Sequence, residues 1–211
     1  MSYRHFRLVR AGVPLSSFLA EIEARPGDWE AITGRQSKIK VQRETRSVPL
    51  RGMRKSAQGE RKGRDVHDSR WTTTSQHYPA FRRLLEDLAK ELDGILGRAK
   101  IVCLPRGRKV YPHIDRGEYY RVRDRYHLVL KSSLGSWLKA GDEEIRMREG
   151  ELWWFDNKQM HEAFNDGDED RIHLIFDMLP SSRVGEVGEE LSSTDGARKM
   201  RREDSASISP R

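Results

Sequence analysis

The chain has 211 residues, long enough for one domain with a sizeable core and no need of a staple. Its single cysteine, Cys103, excludes an internal disulfide and any zinc site built from several thiolates. A 36% apolar and 35% charged composition describes a folded part diluted by polar segments, and no apolar run approaches the roughly 18 residues that span a bilayer. The uncharged stretch 11–20 holds Pro14, Ser16 and Ser17 and runs into Glu21 and Glu23, so it is not read as a secretory signal. A soluble, cytoplasmic protein without membrane attachment is expected, and no motif assigns an oligomeric state.

The net charge of +7 is uneven. Residues 35–70 carry 12 Lys and Arg against 4 Asp and Glu, which leaves the rest slightly acidic. A solvated loop is one reading of that segment. A surface for an anionic partner, nucleic acid or an acidic peptide, is the other.

In chain order, Tyr3–Val9 reads as a strand and the next segment as a short helix. Ser16 or Ser17 is its expected cap, and Phe18, Leu19 and Ile22 form its apolar face. Residues 26–36 read as a loop holding Trp29. Lys38–Leu50 alternates apolar and polar side chains as a half-buried strand does. Residues 51–70 are charged and glycine-rich, a flexible loop. Pro79–Leu96 has the clearest helical period, with Pro79 at its start and Gly97 at its end. Residues 1–98 are thus an N-terminal helix and strand region packing on a β-rich core at 99–180.

From 99 to 180 the pattern changes to eight short β-rich runs separated by turn residues: 99–104, 109–114, 126–131, 136–139, 144–147, 151–155, 161–165 and 171–178. That spacing predicts an antiparallel sandwich or barrel with flanking helices. Residues 181–211 are rich in Ser, Gly and charge and read as a disordered tail.

The chemistry concentrates in this β-rich part. His113 and Asp115 stand at i and i+2 at a strand end, so imidazole and carboxylate converge on one side. His161 comes after a later β-run and turn. Two histidines and a carboxylate on one face, with open positions left over, make the facial triad of non-haem Fe(II) oxygenases. Arg171 begins the last β-run. An inward Arg there needs an anion, because it cannot deprotonate and is rarely buried alone; a surface salt bridge to Asp166, Asp168 or Asp170 is the alternative. His173, two residues on, lines the pocket or packs in the core. Asp156 either orients a ligand imidazole or is a turn residue. Cys103 reads as a small buried hydrophobe. His5, His67 and His77 are expected to be solvated or capped.

His113-x-Asp115, Arg125-Tyr126-His127-Leu128, Gly150-Glu151-Leu152 through Phe155-Asp156, His161 and Arg171 together resemble the aspartyl/asparaginyl β-hydroxylase family, which includes bacterial hydroxylases of free amino acids such as proline. The resemblance covers about residues 99–180, with a weaker similarity at 41–51. It implies a double-stranded β-helix, a cupin-like jelly roll, that binds Fe(II) and 2-oxoglutarate and uses O₂. Carried over, His113 and His161 are iron ligands and Arg171 pairs with the distal carboxylate of 2-oxoglutarate. Arg125 and His127 lie near the cosubstrate's other carboxylate or the substrate. Asp115 departs from the animal protein-hydroxylating members, which lack this carboxylate, and matches the free amino-acid hydroxylases. Val102-Cys103 stands where the animal enzymes have a cosubstrate-binding hydroxyl nearby. The implied activity is hydroxylation of an amino-acid side chain, free or peptidyl. The alternatives are a same-fold oxygenase acting on nucleic acid and a metal-binding cupin without catalysis.

Overall fold

The computed structural model describes residues 3–31, 43–53 and 67–187. In chain order the strands and helices are β1 (Phe6–Arg10), α1 (Ser16–Glu23), β2 (Arg46–Gly52), β3 (Arg70–Trp71), α2 (Pro79–Glu91), β4 (Gly94–Leu104), β5 (Arg108–His113), α3 (Glu118–Arg121), β6 (Asp124–Lys131), β7 (Ser136–Ala140), β8 (Glu143–Ile145), β9 (Leu152–Phe155), β10 (His161–Asn165) and β11 (Arg171–Pro180). Seven strands form one sheet in the order β1-β9-β6-β11-β4-β2-β3, and four form a second, β5-β10-β7-β8. All pairings are antiparallel. This is the jelly roll the β-rich pattern and the family resemblance led us to expect, and each of the eight expected β-runs is a strand.

The large sheet is two-faced because strand side chains alternate. On β11, Leu174, Phe176 and Met178 join an outer core; so do Ala99 and Ile101 of β4 and Tyr126, Leu128 and Leu130 of β6. Helices α1 and α2 cover that face with Phe18, Ile22, Phe81, Leu85 and Leu88. Phe81 and Leu85 have no exposed surface, and burying each stabilises the fold by about 1.5–3 kcal/mol. The opposite face meets the small sheet. There Phe6, Leu104, Val129 and Phe155 pack on Leu138, Ala140, Ile145 and Ala163. At one end Asn165 donates to the Leu104 and Glu169 carbonyls at 3.0 and 2.7 Å, satisfying backbone that the barrel buries.

Two expected boundaries differ. The α2 helix stops at Glu91, not Leu96. Asp93 takes a left-handed φ of 46°, and Gly94 already belongs to β4, where a Cβ would lie 2.5 Å from Met178 Cγ. Gly97 therefore sits inside a strand instead of ending a helix. In α1 no serine caps: Leu15 holds the cap position without a side-chain bond. Pro26–Trp29 forms a 3-10 turn, as do Thr74–His77 and Ser181–Arg183. Ile39 and Val41, residues 54–66 of the basic loop and the tail from 188 lie outside the described residues. Among the described residues no helix is long and apolar enough to cross a membrane.

Candidate metal centre and its pocket

β5 ends on His113 and β10 begins on His161, and the two pair directly across the small sheet. Their ring centroids are 4.2 Å apart. Asp115 lies two residues beyond β5, tied back by its amide, which donates to the Asn157 carbonyl at 3.2 Å. Its Oδ1 is 3.9 Å from His113 Nε2 and its Oδ2 is 4.0 Å from His161 Nε2. One donor atom from each residue lies within 4.8 Å of the others.

Both imidazoles are already oriented. Nδ1 of His113 donates to the Tyr111 carbonyl at 2.8 Å, and Nδ1 of His161 to the Gln159 carbonyl at 2.9 Å. A carbonyl can only accept, so the proton sits on Nδ1 and the Nε2 lone pair faces the common centre. Burial, with His113 nearby, drives the His161 pKa down to about 4, so the ring is neutral at pH 7. Burial alone would raise Asp115. Arg125, the Asn157 amide and the two imidazoles outweigh it and hold the carboxyl below its usual range. Two imidazoles whose Nε2 lone pairs face one centre, with one ionised carboxylate, are the donor set that suits a divalent iron, so these residues fit the metal the resemblance implies.

Behind this centre lies a pocket between the sheets. His113, His161, Arg125, His127 and Arg171 line it. Arg171 opens β11 opposite Leu104, at the end that Asn165 closes. It is 6% exposed, and among the described residues no carboxylate pairs with it. Its Nη2 donates to His173 Nδ1 at 3.2 Å. Burial lowers its pKa to about 10, and the guanidinium stays charged at neutral pH. The Asp166, Asp168 or Asp170 salt bridge is not what forms; Asp170 instead meets Arg46 at 3.8 Å and the Arg106 amide at 3.1 Å.

His127 and His173 form a buried pair, Nδ1 to Nδ1 at 3.3 Å. Burial first, then Arg171, holds both far below the ordinary imidazole pKa. His127 lines the pocket, whereas His173 is not among the lining residues and takes the packed-core alternative, accepting from Arg171.

Arg125, which lines the pocket, is also held by side chains of the chain itself. Its Nε and Nη2 donate to the two oxygens of Asp177 at 2.8 and 3.2 Å, and its Nη1 donates to Asp115 Oδ2. The fork is thus engaged by two carboxylates of the chain itself, Asp177 and Asp115. Burial would lower its pKa, but Asp177 and Asp115 raise it well above the usual value. Asp156 touches neither imidazole. It accepts from the Lys158 amide at 3.1 Å and Gln159 Nε2 at 3.0 Å, shaping the turn that presents the Gln159 carbonyl to His161. His5 is also not solvated: it is buried, 3.5 Å from Asp142, and its carbonyl accepts from the Asp156 amide at 2.9 Å.

Sequence reasoning missed Asn157, whose Nδ2 donates to Asp115 Oδ2 at 3.0 Å, and Asp177. It also missed Thr45 and Lys100, which line the pocket beside Val102. Thr45 brings a hydroxyl from the segment before β2, near the β4 position where Val102-Cys103 has none. Cys103 points away, its Sγ 3.6 Å from Asp170, with burial raising the thiol to about 12.

A sequence profile described as aspartyl/asparaginyl beta-hydroxylase matches residues 53–180. No curated protein matches the chain in sequence. Among solved structures, a prolyl hydroxylase from Trichoplax adhaerens, in complex with a hypoxia inducible factor peptide fragment, superposes with a TM-score of 0.53. Identity is 12%, and the match covers 84% of each chain. A 2OG-Fe(II) oxygenase family oxidoreductase from Burkholderia pseudomallei gives 0.51 at 12% identity, over 85% of this chain and 95% of that one. A prolyl-4-hydroxylase from Pseudomonas putida gives 0.50 at 15% identity, over 84% and 94%. These likenesses show the shared fold, and the profile, which spans more than half of the sequence, shows the family. The chain belongs to the aspartyl/asparaginyl β-hydroxylase family of non-haem iron, 2-oxoglutarate-dependent oxygenases.

Proposed function

We propose that His113, Asp115 and His161 hold one Fe(II), that Arg171 takes the distal carboxylate of 2-oxoglutarate, and that the enzyme hydroxylates an amino-acid side chain, free or within a peptide. One observation carries the reading. Three donor atoms converge within 4.8 Å at a pocket whose far end buries an arginine that meets no carboxylate among the described residues.

When bound, the iron couples decarboxylation of 2-oxoglutarate to insertion of oxygen into a C–H bond. The chain's own contribution is positional. His113 and His161, fixed through Nδ1 to backbone carbonyls, present lone pairs that need no reorganisation. Asp115 presents a charge whose state is fixed at neutral pH. Arg171 offers a bidentate fork to a dicarboxylate, and a dry pocket strengthens that pairing. Phe155, Val102 and Leu138 line the pocket with apolar surface that excludes water.

The test is anaerobic reconstitution with Fe(II) and 2-oxoglutarate, then addition of oxygen and a panel of free amino acids and short peptides, read as succinate release. Substrate-coupled succinate supports the reading. Metal binding without succinate from any member of the panel, free or peptidyl, would overturn the amino-acid reading and leave the oxygenase of nucleic acid and the binding cupin.

A further inference from the structure

We propose that Arg125 and Asp177 are a positioning pair that fixes Asp115 so that a single oxygen, Oδ1, is presented to the metal. The inference rests on the metal reading above. Arg125 of β6 and Asp177 of β11 stand directly opposite each other in the large sheet. The fork of Arg125 grips Asp177 through Nε and Nη2, leaving Nη1 aimed at Asp115. Asn157 Nδ2 reaches the same Asp115 oxygen at 3.0 Å. Oδ2 therefore carries two donors, one of them charged. No described side chain donates to Oδ1, which faces His113 Nε2.

A carboxylate oxygen with two donors is held in place and has less electron density to give a metal; its partner oxygen keeps both. The device also solves a charge problem. A lone guanidinium beside a cation site would repel the cation. With Asp177 attached, the pair is neutral, and it grips Asp115 without adding positive charge. Arg125 and Asp177 are buried and the Asp115 side chain is only 9% exposed, so little water screens these interactions. The ring of Tyr120, with its centroid 5.1 Å from the Arg125 guanidinium carbon, lies against the pair.

A merely structural ion pair changes folding stability and leaves the ligand field alone, and the experiment separates the two. The full chain is stripped of metal and titrated with Co(II), monitored by visible absorption. Three variants are compared with the unaltered chain: Asp177→Asn, the double change Arg125→Met with Asp177→Leu, and Asp115→Ala. Whereas Arg125→Met alone strands two carboxylates, the double change removes Arg125 and Asp177 together and keeps an apolar volume, so that of the three charges only Asp115 remains, with its Asn157 donor still in place. It is expected to bind Co(II) about 10-fold more weakly with altered absorption bands, because Asp115 is free to turn. Asp177→Asn is expected to weaken Co(II) to a similar extent. Co(II) affinity and bands within twofold of the unaltered chain in the double variant overturn the proposal, whatever Asp177→Asn does. Undiminished affinity in Asp177→Asn removes Asp177 from the pair. Undiminished affinity in Asp115→Ala overturns the metal reading itself, and the positioning role falls with it.

Discussion

Arg125 and Arg171 sit on neighbouring strands, on the same face of the large sheet, and both are buried, at 8% and 6% exposure. Yet their surroundings are opposite. Arg125 has two carboxylates in contact, and its pKa rises; Arg171 has an imidazole and no carboxylate among the described residues, and burial lowers its pKa to about 10. A buried guanidinium without an anion is a cost the fold alone gives no reason to bear. One arginine is therefore complete within the chain, and the proposed function completes the other with a ligand. On that proposal the same sheet face divides into a region that organises the metal carboxylate and a region that takes a dicarboxylate.

The carboxylate that Arg125 shares with the metal site gives the largest expected effect. Asp115→Ala should lower turnover by at least ~10³-fold and abolish stoichiometric iron binding, since losing outer contacts alone commonly costs 10–100-fold in affinity. Succinate release by that variant at the rate of the unaltered chain would show that the carboxylate is not a ligand. Next comes stability. Arg125→Met strands Asp115 and Asp177 in the interior and should destabilise the metal-free protein by about 3–5 kcal/mol in urea unfolding. If the loss is under about 1 kcal/mol, Arg125 is not the counter-charge its contacts describe.

Arg171→Met reverses that sign and so sharpens the comparison. It removes a buried charge that meets no carboxylate among the described residues, only the His173 imidazole, so the metal-free protein should gain on the order of 1–3 kcal/mol. The same change should raise the apparent KM for 2-oxoglutarate by at least ~30-fold, with Co(II) affinity unchanged. A destabilised variant with an unaltered KM would mean that Arg171 serves the fold and not the cosubstrate.

Much of this division was legible in the sequence, and the missing part has one physical cause. The eight β-runs were readable because alternation and turn residues repeat at short range, and His113 with Asp115 because i and i+2 share a side. Pairing across strands is not local. Asp177 lies 52 residues from Arg125, inside an apolar run that gives no sign of a second carboxylate, so the pair exists only once β6 and β11 are in register. Without it, Arg125 reads as an available cation. Asn157 was hidden for the same reason, 42 residues from Asp115 in a turn that looked like a connection. The early end of α2 was missed because Leu92, Ile95 and Leu96 continue the helical period, and only the tight Gly94–Met178 approach shows that the chain has entered a strand.

The smallest expected effect concerns the histidines between the two arginines. His127 and His173 are buried, and burial, then Arg171, keeps both neutral far below the ordinary imidazole range. In the unfolded chain each regains a pKa near 6.5. Their folded values are depressed, so the stability they allow is present in full above pH 6.5 and is lost as pH falls below it. In that range the unfolded state binds protons that the folded state refuses. Each refused proton costs up to about 1.4 kcal/mol per pH unit. His161, also lowered by burial, adds its own share down to about pH 4. Urea unfolding of the metal-free protein at pH 7.5, 6.5 and 5.5 should therefore show stability falling with acid. A double change of His127 and His173 to Gln should flatten the curve between 6.5 and 5.5 and leave only the part that His161 contributes. A curve equally steep in that variant would place the proton uptake elsewhere. It would also remove the ground for describing the wall beside Arg171 as neutral, on which its readiness for a dicarboxylate depends.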